Sequence, residues 1–61
     1  MIIAKNNKFE LINNSGKYEI YKDGKLIFFA LDDIGACDKF VEYLRKDGNM
    51  KAEVNFELWA V

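Results

Sequence analysis

Apolar and polar residues alternate or cluster in short runs along this chain, and the breaks between runs fall at turn-forming residues. Met1 to Ala4 and Phe9 to Ile12 are apolar-rich segments separated by Lys5-Asn6-Asn7-Lys8. Asparagine accepts the left-handed backbone that a tight hairpin needs. A further turn at Asn13-Asn14-Ser15-Gly16 leads into Lys17 to Lys22 and Lys25 to Ala30, which flank Asp23-Gly24. That dipeptide is among the strongest two-residue hairpin signals, so two successive hairpins are expected.

The period then changes. Asp32 and Asp33 suit the N-terminus of a helix by capping and by charge, and Ile34, Cys37, Phe40, Val41 and Leu44 recur at helical spacing. Asp38, Lys39, Glu42, Arg45 and Lys46 fall on the remaining surface, and Asp47-Gly48 supplies a stop with glycine as the left-handed cap. From Lys51 to Val61 the pattern alternates strictly, with Ala52, Val54, Phe56, Leu58 and Ala60 against Glu53, Asn55, Glu57, Trp59 and Val61. Alternation of that kind predicts a half-buried strand. The expected fold is α+β: an antiparallel β-meander of two hairpins, one amphipathic helix packed on one face, and a C-terminal strand completing the sheet. A single domain over residues 1–61 is the expectation, near the lower size limit for a chain that folds without a staple.

Counting outward from Asp23-Gly24 as a two-residue turn sets Tyr21 opposite Leu26, Ile20 opposite Ile27, Glu19 opposite Phe28 and Tyr18 opposite Phe29. Tyr18, Ile20, Ile27 and Phe29 then belong under the helix, and Glu19, Tyr21, Leu26 and Phe28 on the opposite face. The last strand adds Glu53, Glu57 and Trp59 to that outer side. One helix covers one face, so large apolar side chains bordered by carboxylates are left to meet a partner.

Composition narrows the function. The chain is 51% apolar and 31% charged with no proline, an ordered globular balance. No window approaches the roughly 18 apolar residues of a membrane span, so a soluble, cytoplasmic protein with no membrane partner is expected. Cys37 is the sole cysteine and lies on the predicted helix stripe, and there is no histidine. The commonest general base and metal ligand is therefore missing, and Cys37 has no imidazole to activate it. The capping role accounts for Asp32 and Asp33, so neither an enzyme nor a cofactor is expected, nor a small-molecule substrate. Gly35 stands out, because glycine inside a helix costs up to about 1 kcal/mol relative to alanine.

The two hairpin tips and the helix C-terminus are predicted at one end of the sheet. That end gathers Lys5, Lys8, Lys22, Lys25, Arg45, Lys46 and Lys51. Such a cluster offers phosphate contacts for a nucleic acid, although the formal net charge of −1 is unlike that of a typical nucleic-acid-binding domain. The reading that follows is a small non-catalytic protein–protein interaction module, a regulator or inhibitor of a larger protein. It acts through Glu19, Tyr21, Leu26, Phe28, Glu57 and Trp59, with a homodimer as the simplest association. A nucleic-acid-binding protein using the basic end is the alternative.

Overall fold

The computed structural model describes residues 2–54. Four strands form an antiparallel meander: β1 (Ile2–Lys5), β2 (Phe9–Asn14), β3 (Lys17–Lys22) and β4 (Lys25–Ala30). Helix α1 (Asp33–Asp47) follows, and a two-residue strand β5 (Glu53–Val54) pairs with β1. The sheet order is β4-β3-β2-β1-β5, which leaves β4 at an edge. Of the C-terminal strand expected over Lys51–Val61, Lys51 and Ala52 are not strand, and the stretch beyond residue 54, with Glu57 and Trp59, lies outside the described residues.

Local chemistry explains each turn. Asn6 Oδ1 accepts from the amides of Lys8 and Phe9 at 2.9 and 2.8 Å, closing the first hairpin. Ser15 and Gly16 both take positive φ (53° and 89°), and so do Asp23 and Gly24 (51° and 81°). Paired positive φ values match the right-handed twist of the flanking strands, and glycine adopts them without a Cβ clash. Asp32 caps the helix, its Oδ2 accepting from the Gly35 amide at 2.7 Å. A Cβ at position 35 would meet that same carboxylate at 2.9 Å, so glycine here makes room for the cap. Gly48, at φ 81°, ends the helix with its amide donating to the Leu44 and Arg45 carbonyls.

The core lies between the helix and one sheet face: Ile3, Ala4, Phe9, Leu11 and Ile20 from the strands, with Ala36, Phe40 and Leu44 from α1. A register irregularity between Ile2 and Ala4 accounts for two consecutive β1 residues, Ile3 and Ala4, both being buried. On the helix, the buried row is 36, 40, 44, a single i, i+4 ridge, whereas the sequence pattern placed Ile34 at the head of the stripe. Ile34 is instead 71% exposed, because it sits in the first turn on the side away from that ridge.

The larger correction concerns β4. Lys22 faces Lys25 and Tyr21 faces Leu26 as the turn requires, but Ile20 then faces Phe28 and Glu19 faces Phe29. Ile27 is the extra residue of a β-bulge, so every later β4 residue is displaced by one position and changes face. Phe28, expected on the outer side, packs against the core beside α1, with Lys39 Nζ 5.6 Å from its ring centre. Phe29, expected under the helix, is 56% exposed on the outer side.

Candidate protein-interaction surface

Cross-strand pairing groups the outer-face residues. Glu10, Tyr21 and Leu26 lie across from one another in β2, β3 and β4, and Ile12, Glu19 and Phe29 form the next row. Ile2 extends that row into β1 by pairing with Ile12. The surface therefore mixes an apolar series (Ile2, Ile12, Leu26, Phe29) with the carboxylates of Glu10 and Glu19. Tyr21 bridges the two, its hydroxyl donating to Glu19 Oε1 at 3.3 Å. Removal from water, reinforced by the Glu19 charge, pushes the Tyr21 phenol above its ordinary range, so it stays a neutral donor. Lys17 Nζ stands 5.5 Å above the centre of the Phe29 ring, placing a cation at the rim.

Exposure rises toward β4. Leu26 is 50% exposed and Phe29 56%, and Leu31, just beyond the strand, reaches 77%. Of the residues expected on this face, Glu19, Tyr21 and Leu26 are brought together, and Phe28 is not. Phe29 and Ile12 belong to the surface although the sequence reading left them out. The alternation Phe9, Leu11 against Glu10, Ile12 marked the second of these. No signal marked the first, because Leu26-Ile27-Phe28-Phe29 is apolar throughout and any register looks equally good.

At the opposite, cationic end, the two hairpin tips meet: the Asp23 amide donates to the Lys8 carbonyl at 2.9 Å. Lys8 Nζ is 2.9 Å from Asp47 Oδ1, and that carboxylate raises the lysine above its usual range. Lys46 and Lys39 both approach Glu42 at 3.4 Å, and together they lower its carboxyl. Lys22 Nζ sits 5.8 Å above the centre of the Phe9 ring, in a shallow recess of about 370 Å³ that Ile27, Tyr43, Lys46 and Asp47 also line. Lys5 and Lys51 line a separate open cleft with Asn6, Asn7 and Asn49. Lys25 faces Lys22 across the β3–β4 turn, and Arg45 lies in the last helical turn. Lys8 and Lys46 thus have carboxylate partners at this end, which reduces the positive field a polyanion would meet.

Burial, and after it the charges of Asp38 and Asp33, pushes the Cys37 thiol up, away from the thiolate a nucleophile needs. No helix among the described residues is long and apolar enough to cross a membrane. The chain matches no protein-family model, no curated protein and no solved structure.

Proposed function

We propose that this chain is a small non-catalytic protein–protein interaction module, a regulator or inhibitor of a larger protein, acting through the outer sheet face and its β4 margin. The observation that supports this most is the exposure of Leu26 and Phe29 beside the half-buried Ile12 and Tyr21, an apolar surface interleaved with Glu10 and Glu19 and bordered by Lys17. Aromatic and large aliphatic side chains bring much contact area at low entropy cost, and charges at the rim set orientation. The expected anchors are therefore Tyr21, Leu26 and Phe29, with Phe29 taking the place first given to Phe28.

The test is retention of partner proteins by the immobilised chain in low and high salt, with the Phe29→Lys variant alongside. Retention that survives high salt and disappears with the variant supports an apolar contact. Retention that collapses with salt and ignores the variant would transfer the function to the cationic end, because phosphate contacts weaken steeply as counterions compete.

A further inference from the structure

Edge strands in natural sheets are blunted by charge, by proline or by a cover, since their open backbone groups otherwise pair with whatever strand arrives. Among the described residues β4 has little of this protection beyond Lys25 and the bulge at its start. It is the outermost strand on its side of the sheet. From Leu26 to Leu31 six consecutive residues are uncharged and none is proline. Leu26, Ile27 and Phe29 on the strand and Leu31 just after it are exposed. The bulge at Ile27 disturbs only the start of the strand and leaves Phe28 to Ala30 in regular pairing with β3.

The charges at the two ends of this segment identify what fits it. Lys25 opens the strand and Asp32-Asp33 follow its end, with only uncharged residues between them. Read in the reverse direction the segment complements itself: an antiparallel copy sets lysine against the acidic pair at both ends. We propose that a second copy of this chain docks antiparallel along β4, about a two-fold axis perpendicular to the sheet at Phe29, joining two sheets into one with both helices on the same face. In that register Phe29 lies beside its own copy on the outer side, Phe28 faces Ala30 of the other copy on the helix side, and, with Ile27 unmatched in the bulge, each Lys25 comes opposite the other copy's Asp32, with Asp33 next to it. The contact is isologous, so it closes on itself and consumes both β4 edges. The inference rests on the reading of β4 as part of the contact surface and names the occupant.

Sedimentation velocity over a concentration series, in low and high salt, tests it on the wild type, Phe29→Lys, Lys25→Glu, Lys25→Glu/Asp33→Lys and Ile12→Lys, each checked for fold by circular dichroism. The expected result is a wild-type dimer that persists in high salt, and a monomer for Phe29→Lys, where two lysines would meet at the axis. Lys25→Glu should weaken dimerisation roughly tenfold by setting like charges together at both symmetric ends, and the double variant, which returns a lysine beside Asp32, should recover part of that loss. Ile12→Lys, at the centre of the outer face and away from the edge, should remain dimeric. A wild type that stays monomeric at every concentration overturns the inference. So does a dimer that Ile12→Lys dissociates and Phe29→Lys does not, since that association runs face to face. In both cases the interaction-module reading stands or falls separately on the salt-resistant retention of partner proteins.

Discussion

Strands β2 and β3 at the centre of the sheet and β4 at its edge are built from similar numbers of large apolar residues, yet they differ in how firmly sequence dictates their geometry. β2 and β3 alternate, so Leu11 and Ile20 are buried and Glu10 and Glu19 face outward, in the register that the two-residue turn at Ser15-Gly16 fixes. A slip by one residue there would bury carboxylates and expose the core, a cost of several kcal/mol by order of magnitude. β4 has no polar residue between Lys25 and Asp32, so a bulge at Ile27 exchanges one phenylalanine for another at little cost. The edge strand is specified by packing against the helix, and the central strands by their own pattern.

The largest loss comes from removing what the central strands bury. Leu11→Ala, at a fully buried site, should destabilise the domain by about 2–5 kcal/mol in urea denaturation, while Leu26→Ala on the exposed edge should change it by less than about 0.5 kcal/mol. A sharper version stays within β4. Phe28→Ala should cost about 1–3 kcal/mol and Phe29→Ala under about 0.5 kcal/mol, although the two are neighbours of the same type. Equal effects would mean that the bulge does not hold in solution.

The junction of β4 with the helix gives a smaller effect. Asp32→Ala should lose about 0.5–2 kcal/mol with the cap. Gly35→Ala should return less than the roughly 1 kcal/mol that helix propensity promises, because its methyl group crowds the capping carboxylate. In the Asp32→Ala background that obstruction is gone, and the same substitution should show its full benefit.

The smallest effects come from the exposed ion pairs. The Glu42 carboxyl is held below its ordinary 4.5 by Lys46 and Lys39, so its contribution is present above that pH and is lost as pH falls through the lowered value. Lys8 is held above 10.5 by Asp47, so its contribution is present below that pH and is lost as pH rises through the raised value. Added salt should flatten both ends of the stability profile, since all of these groups are solvent-screened.

Much of the architecture was legible in the residues. Asp23-Gly24, the Asp32 cap, the Gly48 stop and the meander follow from local chemistry that tertiary context did not override. The helix stripe was legible only in part: Phe40 and Leu44 are buried and Cys37 and Val41 half-buried, but Ala36 completes the buried row and Ile34 is exposed. The candidate surface was half legible. Glu19 and Tyr21 lie on β3, which carries no extra residue, and Leu26 precedes the bulge, so all three hold their expected face, whereas Phe28 and Phe29 follow it and exchange faces. Hydrophobic periodicity cannot detect an inserted residue when both faces of the strand are apolar.

The most direct test is the pattern of cross-strand backbone nuclear Overhauser effects between β3 and β4, Hα–Hα at the non-hydrogen-bonded pairs and amide–amide at the hydrogen-bonded ones. The bulged register predicts contacts that pair Ile20 with Phe28 and Glu19 with Phe29, with Ile27 unmatched. A ladder pairing Ile20 with Ile27 and Glu19 with Phe28 would return Phe28 to the outer face and contradict both the edge described here and the contact proposed on it.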